Sequence, residues 1–260
     1  MRKIVFFDID GTLWDETNTI PESTKEALVK LRENGHLAVL CSGRSRGNIR
    51  SPKLMALGFD GVIASCGNHV EYHGQMIHER ILSPEELQRT LKTCKECNFP
   101  LVLEGPKKLW LDEEGFEGDP YVDYLLAELG EDVVFLKGYT PDIYVNKFSS
   151  LILPETDFDS VQEELKDFLD FIIHGIVVEA VPKDTSKATG IEILCQHLGI
   201  AKEDTFAIGD SINDLDMLQY VGHGISMGNG SQVAKDAAEY VTTDLHVNGV
   251  YNALSHYGLI

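Results

Sequence analysis

The sequence predicts an α/β protein: a doubly wound, Rossmann-like parallel-sheet core with an inserted α+β cap domain. Three observations carry this. Short apolar runs of strand type, Ile4 to Phe7, Leu37 to Cys41 and Val62 to Ala64, alternate with helical patterns in the first eighty residues. The alternation breaks near Ser83 and resumes after Pro182-Lys183-Asp184. Polar or acidic residues directly follow three apolar runs: Asp8, Ser42, and Gly209-Asp210 after Thr205 to Ile208. That is the carboxyl edge of a parallel sheet, where open α/β folds bind ligands.

In chain order, strand 3–8 leads through a polar stretch to a helix from Pro21 to Asn34. Ala27, Leu28 and Leu31 fall on one face of it, and Gly35 stops it. Strand 37–41 follows, then a helix from Arg44 towards Leu57, then the strand to Ala64. Residues 68–81 alternate around His73-Gly74 and predict a hairpin. Ser83-Pro84-Glu85-Glu86 is a helix start with a cap, a proline and an acidic first turn. From there the pattern is mixed. Helices are predicted over 84–97, near 120–129 and near 157–169. Short strands are predicted near 100–104, 108–111, 148–153, 171–174 and 176–181. Domain boundaries follow: 1–82 and 184–260 form the core, and 83–183 the cap. The core resumes with a helix from Lys187 to Leu198, strand 205–208, a helix from Ile212 to Tyr220 and a strand near Gly224 to Met227. Helices from Ser231 and Asn248 complete it.

Composition narrows the function. The 260 residues carry a formal charge of −20, which disfavours nucleic acid as a partner. No apolar run reaches the roughly 18 residues of a membrane span, and the Arg2-Lys3 start is too short for a secretory signal, so a cytoplasmic location is expected. Five scattered cysteines argue against a disulfide framework. Cys94 and Cys97 have the spacing of half a zinc site, inside a helical pattern and with no second pair. The acidic field would also repel a phosphorylated metabolite. A site for one needs a local cation: a metal, or the scarce Lys and Arg side chains.

Asp8 and Asp10 lie at i and i+2 of an extended segment, so both can face one ligand, and Gly11 permits the sharp turn that follows. Asp210 and Asp214 add two carboxylates at another strand end. Meeting in one place, these groups repel, and a bound cation resolves the repulsion. Oxygen-only ligands point to magnesium. Taken alone, Ser42 reads as a helix cap and Lys187 as a solvated helix residue. Arg44 reads equally as a surface cation or a phosphate contact, and Trp14, taken alone, as core packing.

The segments Asp8-Ile-Asp10-Gly11-Thr12, Ser42-Gly43-Arg44, Ser186-Lys187 and Gly209-Asp210-Ser-Ile-Asn213-Asp214 together resemble the four motifs of the haloacid dehalogenase superfamily. The insertion resembles the cap of its Cof-type sugar-phosphatase branch. The resemblance implies a magnesium-dependent phosphatase of small phosphorylated metabolites, most plausibly sugar phosphates. Asp8 would be the nucleophile, forming an aspartyl-phosphate, and Asp10 the general acid and then base. Thr12, Ser42 and Gly43 would position the phosphoryl group, and Lys187 would offset charge on its oxygens, with Lys183 a rival for that part. Asp8, the Asp10 backbone carbonyl and Asp210 would hold the ion, with Asn213 and Asp214 completing the shell, touching the phosphate side or orienting Lys187. Substrate choice would live on the cap, with the strand preceded by Asn146-Lys147 and the stretch around Glu179 as candidates, while Glu104, Lys107 and Lys108 read equally as solvated loop residues. A monomer or weak homodimer is expected. A phosphomutase, or a non-enzymatic phosphosugar sensor, are the alternatives; a sensor needs no general acid.

Overall fold

The computed structural model describes residues 2–112, 116, 119–136 and 142–260. The chain divides into two compact units: 1–43, 52–78 and 186–260 form one, and 44–51 with 79–185 the other.

The first unit contains β1 (Ile4–Phe7), α1 (Glu22–Glu33), β2 (Leu37–Cys41), α2 (Pro52–Met55), β3 (Gly61–Ala64), β4 (His69–Tyr72) and most of β5 (Gln75–Glu79). After the second unit it resumes with α6 (Lys187–Leu198), β12 (Thr205–Gly209), α7 (Leu215–Tyr220), β13 (His223–Ser226), α8 (Gln232–Ala237), β14 (Tyr240–Val241) and α9 (Gly249–His256). The second unit holds α3 (Pro84–Glu96), β6 (Val102–Glu104), β7 (Leu109–Leu111), α4 (Pro120–Leu129), β8 (Val133–Phe135), β9 (Lys147–Leu151), α5 (Phe158–Leu165), β10 (Leu169–His174) and β11 (Val177–Pro182).

The first sheet runs β14-β13-β12-β1-β2-β3-β4-β5, parallel from β14 to β3 and turned antiparallel at β4. Its central strands are buried throughout, which is why they read as continuous apolar runs. Alternate residues face opposite sides. Ile4, Phe6, Leu37 and Val39 meet Ile191 and Leu194 of α6, Met217 and Leu218 of α7 and Ala234 of α8. Helices α1 and α9 pack together and bury Ala27, Leu28, Leu31, Val250, Ala253 and Leu254. The chain leaves β1 towards β2 and β3, then returns to β12 on the other side of β1. The crevice at the ends of β1 and β12 is therefore the topological switch point, where such sheets take ligands.

The second sheet runs β10-β11-β9-β6-β7-β8, antiparallel except between β7 and β8. One face, with Leu103, Phe148, Val178 and Ala180, packs on α3 and α5 through Leu87, Cys94, Val161 and Leu165. On the other, Val102, Leu109 and Leu111 pack on Val122, Leu125 and Leu129 of α4. The same face carries ions: the Lys147 ammonium lies 3.4 Å from Glu104 and pairs with Glu179, and Ser149 donates to Glu104 at 2.5 Å.

Two sequence expectations change. The helix from Arg44 towards Leu57 is a single 3-10 turn (Arg46–Asn48) and then the short α2. Pro52 explains the break: it has no amide hydrogen to continue a helix and holds the preceding residue extended. Residues 44–51, placed in the core by the sequence, also fall in the second unit. The Gly47 amide donates to the Gly105 carbonyl at 3.2 Å and the Ser45 amide to Glu104 at 3.4 Å. A Cβ on Gly47 would sit 2.7 Å from the Gly105 oxygen, so only glycine admits the approach. Strand β8 was not foreseen; it has three residues, too few to show a period.

Candidate active site

Register places the motif residues. Phe7 pairs with Ile208 on one side and Leu40 on the other, so Asp8 lies level with the last residues of β12 and β2, Gly209 and Cys41. The Asp8 amide still bonds the Ile208 carbonyl at 3.0 Å, and the Ser42 amide the Ile63 carbonyl at 2.9 Å. Ser42 is buried, and the Cys66 amide donates to its carbonyl at 3.2 Å. Gly43 ends this part of the unit.

Lys187 is the hub. It opens α6, whose cap Ser186 accepts from the Thr189 amide while Thr189 returns a bond to the Ser186 amide. Asp216 accepts from the Ala188 amide at 3.0 Å and fixes the same helix end. Only 1% exposed, the Lys187 ammonium lies 2.7 Å from Asp8 Oδ1 and 2.5 Å from Asp214 Oδ1. Burial alone would push its pKa down, but Asp214 and Asp8 outweigh burial and hold it well above the ordinary lysine value. Lys187 is thus a fixed positive charge. Lys183 lies in the second unit.

The carboxylates behave as a crowded set. One oxygen each of Asp8, Asp210 and Asp214 lies within 4.8 Å of the others. Burial first, then Asp214, raises the Asp8 pKa well above the carboxylate range, against the pull of Lys187. Burial, then Asp214, pushes Asp210 up to about 7. Asp214 is spent on structure: Oδ1 takes Lys187, and Oδ2 accepts the Asp210 and Ser211 amides at 2.9 and 3.0 Å. That hydrogen-bond inventory suits orienting Lys187 and the Asp210 loop rather than binding an ion directly. Asn213 accepts from the Ser211 hydroxyl at 2.7 Å, and Thr12, fully buried, gives its hydroxyl hydrogen to Asp210 Oδ1 at 3.1 Å. Asp10 stands exposed beside this cluster.

Hard carboxylate oxygens from Asp8 and Asp210, with raised pKa values, fit a divalent magnesium-type cation. Cys41, which feels the charges of Lys187, Asp214 and Asp8, is buried with its thiol pushed well up by burial, so it offers no thiolate.

Several supports escaped the sequence reading. Ser65, Cys66 and Gly67 all adopt positive φ, at 52°, 53° and 94°. A Cβ on Gly67 would lie 2.0 Å from the Ser186 carbonyl, and one on Gly190 2.6 Å from Ile63. Two glycines thus let the Lys187 helix settle on this strained loop. Asn229 donates to the Gly11 carbonyl at 2.8 Å, and the Ser231 amide to the Asp210 carbonyl at 2.7 Å. Gly228-Asn229-Gly230 was the available signal, a turn cluster after an apolar strand.

Gly11 does more than turn. At φ 79°, its Cβ would meet Asp210 Oδ2 at 2.5 Å. Gly11→Ala is expected to cost roughly 1–3 kcal/mol of stability and displace Asp210. Chemical denaturation checks it; an unchanged midpoint would contradict the close approach.

A family model of haloacid dehalogenase-like hydrolases matches residues 5–254. The chain belongs to that family. It is therefore an enzyme, a hydrolase, and its sheets and helices match the Rossmann-like fold with a cap domain. The Bacillus subtilis (strain 168) protein named "Putative phosphatase YkrA" is 30% identical over 99% of this chain and 98% of its own. A hypothetical protein of Geobacillus kaustophilus HTA426 superposes with a TM-score of 0.85 at 29% identity, covering all of both chains. The subclass IIB sugar phosphatase BT4131 does so with 0.83 at 25% identity, over 99% of this chain and 100% of that one. No helix among the described residues of this hydrolase is long and apolar enough to cross a membrane.

Proposed function

We propose that the chain is a magnesium-dependent phosphatase of small phosphorylated metabolites, sugar phosphates foremost, working through an aspartyl-phosphate. The observation that carries this is Lys187 held between Asp8 and Asp214 at the switch point of the sheet. A merely structural ion pair needs one carboxylate; here Asp8 and Asp214 share one ammonium, and Asp210 has an oxygen within 4.8 Å of theirs.

Asp8 attacks phosphorus as the ester P–O bond breaks, and Asp10 gives its proton to the departing oxygen. Asp10 then takes a proton from water, which attacks phosphorus and releases phosphate, restoring the Asp8 carboxylate. Lys187 opposes the burial and crowding that raise the Asp8 pKa, and offsets charge on the phosphoryl oxygens. Ser42 and Gly43 border the phosphoryl end, and Thr12 acts through Asp210. Asp8 and Asp210 would hold the ion, which supplies positive charge against the phosphate oxygens. Substrate choice would be made in the second unit, on the strand that Asn146-Lys147 opens and the stretch around Glu179. The conditions of the cytoplasm and a monomer or weak homodimer are consistent with this reading.

The test is phosphate release across a panel of phosphorylated metabolites, with magnesium and after exhaustive chelation. Release only with magnesium is expected. Persistence after chelation overturns the metal assignment, and an isomer in place of free phosphate would point to a mutase.

Proton linkage gives a second measurement. Asp8 and Asp210 titrate above the unfolded value, so without a cation the folded chain binds more protons than the unfolded one. Stability then falls as pH rises from about 4 through about 7. A cation must displace the Asp210 proton, so its affinity should rise by up to about tenfold per pH unit below about 7 from this group alone. The magnesium-induced rise in Tm is therefore expected to be larger near pH 8 than near pH 5.5. A rise independent of pH would contradict this.

A further inference from the structure

Asp10 is exposed, yet its carboxyl is not left to rotate. The Trp14 indole Nε1–H donates to Asp10 Oδ1 at 2.8 Å. Trp14 itself is 1% exposed and cannot swing away. Its carbonyl accepts the Gly11 amide at 2.9 Å, its amide donates to the Ile9 carbonyl at 3.3 Å, and it forms a β-bridge with Asp10. The next residues close the turn: Asp15 accepts from the Thr17 amide and hydroxyl and from the Thr19 amide. Trp14 reaches the acid from a locked loop.

Core packing does not account for this contact. A leucine or phenylalanine would fill the same apolar volume, whereas indole adds one hydrogen-bond donor and no acceptor. That donor discriminates between the two carboxyl oxygens. A proton on Oδ1 would take up one of its lone pairs and leave the poorer acceptor facing the indole N–H. A proton on Oδ2 leaves Oδ1 free to accept. The same bond fixes the plane of the carboxyl, and thus the direction in which the Oδ2 proton leaves.

We propose that Trp14 is a positioning residue for Asp10. Its indole N–H assigns the transferable proton to Oδ2 and holds that oxygen on the line of the departing alkoxide. The proposal rests on Asp10 as acid and base in the proposed phosphatase reaction. In the first step the proton passes from Asp10 Oδ2 to the leaving oxygen as its bond to phosphorus breaks. In the second the same oxygen receives a proton from the attacking water. Trp14 touches neither substrate nor phosphorus and acts only through Asp10.

The experiment compares two esters, an alkyl phosphate whose leaving oxygen needs protonation and 4-nitrophenyl phosphate, whose leaving group does not. Trp14→Phe keeps the aromatic bulk and removes the donor. Should it fail to fold, the benzothienylalanine isostere at position 14 keeps both rings and lacks only the N–H. Under single turnover, loss of the donor is expected to slow phosphoryl transfer from the alkyl ester about ten- to hundredfold. Transfer from the aryl ester should fall by less than about threefold. In an Asp10→Ala background the same change at position 14 should have no further effect on the alkyl ester, because the two act as one unit. Equal losses on both esters, or an undiminished loss in the Asp10→Ala background, overturn the proposal. The single variant Asp10→Ala separates the levels. If it is ester-selective and the Trp14 variants are not, only the Trp14 proposal falls; if it is not selective, the acid role of Asp10 falls and the proposal with it.

Discussion

Asp8→Asn is expected to abolish turnover of every phosphoester, a fall of at least about ten-thousand-fold, while leaving the chain folded. The amide has nearly the same shape as the carboxylate but no ionised oxygen to attack phosphorus. The folded state feels two opposing changes. Asp8 is buried and repelled by Asp214 and Asp210, so neutralising it relieves repulsion. Lys187 loses one partner but keeps Asp214 at 2.5 Å, so the ammonium is not stranded. The melting curve should therefore move little while activity vanishes. Single-turnover kinetics with a thermal melt of the same sample checks both. Activity within about tenfold of wild type would remove Asp8 as nucleophile.

Lys187→Met should damage stability and catalysis together. The ammonium and its two partners are almost wholly buried, with side chains exposed by 1%, 6% and 0%. Removing one member of a buried ion pair costs about 3–5 kcal/mol, because its partners stay buried without a counter-charge. The sign with pH is fixed by Asp8, whose folded pKa is raised and would rise further without Lys187. Below that pKa the proton neutralises the stranded carboxylate, so the loss should be smaller in mild acid than at neutral pH. Catalysis should fall by about a hundred- to a thousandfold, the usual cost of one charge-stabilising group in a reaction site. Denaturant titrations near pH 5 and pH 7.5 read the stability difference; equal midpoints for variant and wild type at both would contradict the hub. Lys187→Arg is not expected to rescue, since a planar guanidinium does not fit a cavity shaped for an ammonium.

What the sequence disclosed is what depends on local chemistry. The ends of β1, β2 and β12 were visible because buried parallel strands are apolar throughout and Asp8, Ser42 and Asp210 interrupt them at once. Helix α6 was bounded correctly because Ser186 caps it and Gly199, at φ 66°, ends it. What it concealed depends on partners distant in the chain. Thr12 reads as a phosphate contact, yet its hydroxyl goes to Asp210. Residues 44–51 read as helix and core, yet Gly47 meets Gly105 in the second unit. The left-handed backbone of Ser65 and Cys66 has no local signature at all, since both are poor choices for it. Gly67 and Gly190 look like ordinary turn and helix glycines until their absent side chains are seen to make room for Ser186 and Ile63.

The stereochemical course at phosphorus is the most direct measurement. A phosphorothioate ester made chiral with two oxygen isotopes is hydrolysed in water carrying the third, and the configuration of the chiral thiophosphate released is read. Each in-line displacement inverts phosphorus. Attack by Asp8 followed by attack of water should return the original configuration. Net inversion would mean that water strikes the ester directly, leaving Asp8 beside Lys187 as no more than a buried ion pair.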